Sequence, residues 1–155
     1  MTAVLEELTE DTNLLEILGR LQALSKGKGV QGFDDCRIID VLTKAYAGKL
    51  VSQAEFQELF DQETTRIKQD YESWEQYLAS CVLGKILQFA PTSSTIVTEE
   101  SFILAIYGYC LAKVNAFSFA SFWVDTNLEQ LGQVLADVLG FDYEQDKKDM
   151  RGIEE

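Results

Sequence analysis

Histidine does not occur in this 155-residue chain. Histidine is the most common general base and transition-metal ligand, so its absence excludes His-based catalytic triads and Cys₂His₂ zinc sites. The three cysteines, Cys36, Cys81 and Cys110, are far apart and form no Cys-x-x-Cys pair. Each lies among apolar helix positions, where a reduced cysteine behaves as a small apolar residue. We therefore expect no enzymatic activity, no metal, no cofactor and a reducing, cytoplasmic location.

Basic residues are also scarce. The chain has 13 Lys and Arg residues against 26 Asp and Glu residues, which gives a net charge of −13. Such a charge repels the phosphates of nucleic acids and the headgroups of anionic lipids. We expect neither nucleic acid nor membrane as a partner, and we expect a protein partner with a basic surface. The composition leaves the oligomeric state open.

Only one apolar run is long enough to raise the question of a membrane span. Residues 102–124 contain a single charged residue, Lys113. Asn115, Ser118 and Ser121 interrupt the run, and no basic flank follows it. We interpret it as a buried core helix followed by an aromatic-rich connection. The N-terminus lacks the basic start and apolar run of a secretory signal, so no leader is expected.

Apolar residues recur at helical spacing between clear start and stop signals. The predicted helix starts are at Asn13, Asp34 or Asp35, Ser52, Ser73, Thr98 and Thr126, and the predicted stops include Gly27, Gly48, Pro91 and Gly140. No long strand-like alternation is present. The pattern predicts an all-α, compact single-domain bundle of six or seven helices over residues 1–155, with residues 1–12 and 142–155 frayed. The helix after Thr98 is almost entirely apolar and is expected to be the central one.

One glycine-rich segment matches a phosphate-binding pattern. Residues 27–32 read Gly-Lys-Gly-Val-Gln-Gly, which fits G-x-G-x-x-G. That motif binds pyrophosphate when it follows a strand and opens a helix, whereas here a helix precedes it. We interpret the segment as a loop between two helices.

Paired carboxylates such as Asp34/Asp35 and Glu99/Glu100 offer little chemistry. Di-metal helical bundles require Glu-x-x-His on facing helices, and the chain has no histidine. The acids lie in first helical turns or on exposed faces, where caps and solvated surfaces place them. We therefore expect no catalytic carboxylate.

The start of the second predicted helix is the first candidate for partner binding. Asp34 and Arg37 are three residues apart and share a helix face, and Asp35 lies beside them. They form either an exposed recognition pair or an ion pair that braces the helix start, and the second interpretation is favoured. Trp74 follows a predicted cap and is either an interface anchor or a plug between two helices, again with the second favoured. Gly84 predicts close approach of another helix.

Aromatic residues are densest at residues 117–123. This cluster either fills the core or forms an apolar binding patch. The full set of partner-binding candidates is Asp34, Asp35, Arg37, Trp74, Phe119, Phe122 and Trp123.

Four short blocks carry a resemblance to a known family. They are Gly32-Phe33-Asp34-x-x-Arg37, Gly48-Lys49-Leu50-Val51-Ser52, Tyr71-x-Ser73-Trp74-Glu75 and Leu83-Gly84-Lys85. Over about residues 32–90 the chain resembles an uncharacterised bacterial domain-of-unknown-function family, number twelve sixty-six. Phe33 replaces a family tryptophan and Lys85 a family arginine, and no match is evident after Pro91. The resemblance implies a small helical bacterial protein without an assigned activity.

Taken together, these features predict a non-enzymatic protein-binding module. The specific expectation is an acidic immunity- or antitoxin-like protein that blocks a basic surface of a toxin or effector. Two alternatives remain open at this stage. One is a small hydrolase or ligand-binding module that uses carboxylates near Asp34, and the other is a chaperone or secretion adaptor that uses the apolar aromatic patch.

Overall fold

The computed structural model of the chain describes residues 12–89, 100–111 and 127–154. These residues form seven helices and no strand, which confirms the all-α prediction. The helices are α1 (Thr12–Ser25), α2 (Gln31–Ala47), α3 (Gln53–Asp70), α4 (Trp74–Phe89), α5 (Glu100–Leu111), α6 (Glu129–Leu139) and α7 (Tyr143–Glu154).

Two helix starts show how the predicted caps work. At α3 the Ser52 hydroxyl accepts a hydrogen bond from the Glu55 N–H at 3.1 Å, and the Glu55 carboxylate accepts one from the Ser52 N–H at 2.8 Å. At α4 the Ser73 hydroxyl accepts a bond from the Gln76 N–H at 3.2 Å. The Gln76 side chain accepts its bond from the N–H of Glu72, one residue before the cap, at 2.6 Å. Backbone donors that a helix start leaves without partners are thus satisfied locally.

Other boundaries differ from the sequence prediction. Helix α2 begins at Gln31, three residues before Asp34, because the preceding turn is already hydrogen-bonded from Gln31 N–H to Lys28 C=O. Helix α6 begins at Glu129, whose N–H donates to the Asn127 side chain at 2.9 Å. Gly140 ends α6 with a φ of +73°, as its position predicted.

The C-terminal segment is a helix where a frayed end was expected. Tyr143, the first residue of α7, is buried, and its ring covers Gly132 so closely that a Cβ there would clash with it. The Tyr107 hydroxyl donates a hydrogen bond to Asp146 at 2.6 Å. The high charge density of this segment concealed these two anchoring contacts. Residues 1–11 and Glu155 lie outside the described part of the chain.

Helix α4 is the most deeply buried helix of the described chain. Helices α1 and α2 pack directly on it, and nearly all its side chains from Trp74 to Ile86 are buried. The expectation that the more apolar α5 is central is wrong, since Leu104 and Tyr109 of that helix are exposed. Hydropathy misses α4 because it contains polar residues such as Ser80, whose hydrogen bonds are satisfied inside the core.

Small residues bring α2 and α4 into close contact. A Cβ on Gly84 would clash with the Cβ of Phe33, which confirms the predicted close approach. A Cβ on Gly32 would lie 2.8 Å from the Ser80 Cβ. The Gly32 N–H donates to the Ser80 hydroxyl at 2.7 Å, and that hydroxyl donates to the Gly29 carbonyl, also at 2.7 Å. The glycine-rich segment is therefore a helix–helix loop held against α4.

No helix within residues 12–89, 100–111 and 127–154 is both long and apolar enough to cross a membrane. Helix α5 occupies the first part of the apolar run at residues 102–124. The rest of that run, including the predicted aromatic cluster with Phe119, Phe122 and Trp123, lies outside the described residues. The two interpretations of the cluster therefore both remain predictions.

Candidate functional site

Asp35 is the buried acid of the described chain, with 2% of its surface exposed. One carboxylate oxygen accepts a hydrogen bond from the Arg66 guanidinium at 2.5 Å, and the other accepts one from the Tyr71 hydroxyl at 2.9 Å. Arg66 also binds Glu63 and Asp70 on its own helix. The network joins the start of α2 to the end of α3, so Asp35 braces the helix start.

The residues that brace the start of α2 are not the predicted pair of Asp34 and Arg37. Asp34 and Arg37 are both exposed, and in the described structure they form no ion pair with each other. The Arg37 guanidinium instead lies over the Phe33 ring, 5.8 Å from its centroid. Bracing is thus carried by Asp35 with partners from α3, and Asp34 and Arg37 remain available at the surface.

Trp74 lies in the core, as the favoured plug interpretation expects. It is buried, and its ring meets that of Tyr77 edge-on with centroids 6.0 Å apart. Tyr77 in turn meets Tyr71, with centroids 5.1 Å apart. Of the predicted partner-binding residues that the structure describes, Trp74 and Asp35 are therefore inside the fold, and Asp34 and Arg37 are outside.

The surroundings of Tyr71 and Arg66 favour the protonated form of both side chains. Burial raises the pKa of the Tyr71 hydroxyl, and the hydrogen bond to Asp35 raises it further. Hydrogen bonds to Glu63 and Asp35 raise the pKa of Arg66. Tyr71 and Arg66 therefore keep their protons throughout the physiological range, which suits a structural network rather than proton transfer.

The outward face of α2, defined by Asp34, Arg37, Ile38, Val41 and Leu42, borders an open groove of about 400 Å³. Val41 is 63% exposed and Ile38 is 42% exposed. Since residues three and four apart lie on one side of a helix, the two side chains form one apolar strip. A carboxylate and a guanidinium flank that strip at its N-terminal end.

The sequence prediction of apolar residues at helical spacing did not separate the two faces of α2. Ile39 is partly buried and packs against the core, whereas Ile38 and Val41 point away from it. A helix that buries one face needs apolar residues on that face only, and α2 has apolar residues on two faces. That excess was the signal in the sequence that one face is exposed.

Helices α2 and α3 pack side by side and extend beyond the core. No side chain in residues 40–61, which we call the arm, is buried. The Tyr46 ring of α2 stacks on the Phe56 ring of α3 with centroids 4.7 Å apart, and Phe56 also contacts Phe60 on its own helix at 5.5 Å in a tilted arrangement. Each such aromatic pair contributes about 1 kcal/mol. The arm is thus a two-helix projection with accessible sides.

The α3 side of the arm is acidic. Residues 53–65, which extend from the arm towards Arg66, contain four acids and no basic residue: Glu55, Glu58 and Asp61 in the arm, and Glu63 just beyond it. Glu55 is part of the cap and Glu63 binds Arg66. Glu58 and Asp61 remain exposed, so the arm combines a negative side with the apolar strip of α2.

The described residues give little support to a metal site or to a catalytic carboxylate. Within it no group of three or more His, Cys, Asp or Glu residues could hold a metal ion. Burial raises the pKa of Glu75, but a hydrogen bond from the Leu131 backbone opposes the shift and ties this carboxylate to the first turn of α6. Glu75 is not among the residues that line the groove along α2.

Comparison with known families identifies the chain. The model of a family described as "Protein of unknown function (DUF1266)" matches residues 3–124. Because this match covers more than half of the chain, the protein belongs to that family. The resemblance seen at residues 32–90 is confirmed and extends beyond both ends, including past Pro91. No curated protein and no solved structure matches the chain.

Proposed function

We propose that this DUF1266 protein is a non-enzymatic, cytoplasmic protein-binding module of the immunity or antitoxin kind. It covers a basic surface of a toxin or effector with the outward face of α2 and the acidic side of the arm. The observation that carries the proposal is the exposed strip of Ile38 and Val41 beside an open groove.

The strip has the features of a contact surface. Large apolar side chains exposed together beside a groove lose unfavourable contact with water when a partner covers them. Arg37 at the edge of the strip is of a residue type enriched at interface hot spots. An apolar centre with a polar rim is the usual composition of a protein interface.

Charge favours a basic partner. The net charge of −13 attracts a positive surface over a distance set by the ionic strength. Glu58 and Asp61 place part of that charge on the exposed surface of the arm, which also carries Val41 of the apolar strip. Such an arrangement accelerates association and selects against acidic partners.

The hydrolase alternative has less support from the described residues. Its carboxylates near Asp34 are an exposed Asp34 and an Asp35 whose two oxygens are occupied by Arg66 and Tyr71. A catalytic acid needs an environment that shifts its pKa and access to substrate. The chaperone or adaptor alternative depends on residues 117–123, which lie outside the described structure.

A paired capture experiment in the native bacterium tests the proposal. Wild-type protein and the variant Ile38→Arg are used as baits, and the recovered proteins are identified by mass spectrometry. We expect the wild type to capture a basic protein, and we expect Ile38→Arg to lose it because a positive charge replaces an apolar contact.

Leu15→Arg on α1 is the matched control, because Leu15 is 41% exposed and Ile38 is 42% exposed. This control should retain the partner, and both variants should show the helical circular dichroism of the wild type. Equal loss in both variants, or recovery of a bound small molecule without any protein partner, would contradict the proposal.

A further inference from the structure

Two cysteines from packed helices lie together beside the Asp35 network. The Cys81 sulfur on α4 lies 3.2 Å from the Gly32 carbonyl oxygen of α2. In a helix that carbonyl accepts the N–H of the residue four positions later, which is Cys36. The side chains of Cys36 and Cys81 lie within hydrogen-bonding reach of each other.

The two sulfurs differ in environment. Cys36 is partly exposed, whereas Cys81 is buried. Cys81 has one S–H hydrogen, which it can donate to the Gly32 carbonyl or to the Cys36 sulfur. When the bond goes to Cys36 it stabilises the thiolate of the more accessible sulfur.

Charges around the pair act on this thiolate in both directions. The hydrogen bond from Cys81 is the largest effect and lowers the Cys36 pKa from 9.0 to about 7, and Lys85 assists it. Burial and the carboxylates of Asp40 and Asp35 oppose the shift. The lowered pKa increases the thiolate fraction of Cys36 at neutral pH above the few per cent of an ordinary thiol.

We propose that Cys36 and Cys81 form a peroxide-reactive dithiol that closes to an intramolecular disulfide between α2 and α4. Cys36 is the attacking residue and Cys81 is the resolving residue. An accessible thiolate next to a second cysteine is the arrangement found in redox-sensing proteins, and disulfides in reducing compartments are mostly of this transient kind. The proposal does not depend on the proposed partner.

The chemistry proceeds in two steps with hydrogen peroxide as oxidant. The Cys36 thiolate attacks one peroxide oxygen, the O–O bond breaks, and the released hydroxide takes up the proton that Cys36 had lost, forming water. The Cys81 sulfur then attacks the sulfenic sulfur of Cys36, the S–O bond breaks, and the Cys81 proton leaves with that oxygen as a second water. Two thiols and one peroxide thus give one disulfide and two waters.

Loss of the Cys36 charge assists the second step. The negative charge of Cys36 is one of the causes that raise the pKa of Cys81. Oxidation to the neutral sulfenic acid removes this contribution. Cys81 can then release its proton more easily. This helps the second step, in which the Cys81 sulfur acts as the nucleophile.

Cys110 on α5 provides an internal control. It is buried, and burial raises its pKa to about 12. The three cysteines also fall in separate tryptic peptides, residues 29–37, 69–85 and 86–113. Each thiol can therefore be followed separately by mass spectrometry.

The folded full-length protein is treated with hydrogen peroxide at neutral pH, blocked with N-ethylmaleimide and digested with trypsin. We expect a cross-link between peptides 29–37 and 69–85 that dithiothreitol reverses. Without peroxide, Cys36 should react with N-ethylmaleimide at least about tenfold faster than Cys110, because only Cys36 has a large thiolate fraction. Cys36→Ser should abolish the cross-link, and Cys110→Ser should leave it unchanged.

The wild-type measurements decide the proposal even if a variant does not fold. Oxidation of Cys36 to sulfinic acid without a cross-link would overturn it, as would a disulfide that includes Cys110. A disulfide between two molecules, detected as a dimer on a non-reducing gel, would also contradict it. Equal reactivity of Cys36 and Cys110 would show that Cys36 is an ordinary core thiol.

Discussion

The Tyr71 hydroxyl donates a hydrogen bond of 2.9 Å to the Asp35 carboxylate, joining the end of α3 to the first turn of α2. Arg66 binds the other oxygen of the same carboxylate. The buried charge is therefore paired and hydrogen-bonded, as a charge removed from water must be. These contacts hold the arm at its base, while the outward face of α2 is left free of them.

Adjacent aspartates should differ sharply in their contribution to stability. Asp35→Ala leaves Arg66 and Tyr71 without their shared partner and should lower the free energy of unfolding by about 3 kcal/mol. Asp34→Ala removes an exposed side chain and should change it by less than about 0.5 kcal/mol. Urea denaturation of both variants measures the difference, and similar values for the two would contradict the assigned role of Asp35.

Two mid-helix glycines should respond in opposite ways to alanine. Gly84→Ala forces the Cβ into Phe33, and overpacking of this kind costs about 1–3 kcal/mol. Among the described residues, a Cβ at Gly108 in α5 would meet no atom within 4 Å, so Gly108→Ala should stabilise the helix by up to about 1 kcal/mol. Thermal denaturation followed by circular dichroism tests the pair. Stabilisation by Gly84→Ala would show that α2 and α4 are not in close contact.

The partly buried carboxyl of Glu75 should make stability depend on pH in a defined direction. Burial raises its folded-state pKa above the ordinary value of 4.5, so the folded state holds this proton more tightly than the unfolded state does. The resulting stabilisation is full below the ordinary pKa and is lost as pH rises through the raised one. Glu75→Gln stays neutral and keeps an acceptor oxygen for Leu131, so relative to wild type it should gain stability as pH rises.

Urea denaturation tests this prediction for Glu75 when it is carried out both below its ordinary pKa of 4.5 and at neutral pH. The difference in unfolding free energy between Glu75→Gln and wild type should become more positive towards neutral pH. A constant difference, or one that becomes more negative, would show that the carboxylate is not disfavoured in the folded state.

Local chemistry explains which parts of the fold were predictable. The Ser52 cap, the Gly140 stop and the Gly84 contact follow from a few neighbouring residues, and the structure has all three. The α7 helix depends on Tyr143 covering Gly132 of another helix, and a charge-dense segment gives no sign of that contact.

The candidate site was predicted only in part, because some of its contacts also join residues that are distant in sequence. Asp34 and Arg37 lie at the surface, where a recognition pair requires them, but their neighbour Asp35 performs the bracing. The partners of Asp35 are on another helix, and no spacing rule links residues so distant in sequence. The exposed strip of Ile38 and Val41 could have been inferred from the two apolar faces of α2.

The direct test of the protein-binding account is the affinity for the captured basic partner, purified and titrated at increasing salt. Glu58→Lys combined with Asp61→Lys reverses the acidic side of the arm. Glu144→Lys combined with Asp149→Lys makes the same change in net charge on the exposed side of α7. The account predicts that salt weakens binding and that the arm variant loses about tenfold more affinity than the α7 variant. Affinity that is flat with salt and equal for both variants would contradict it.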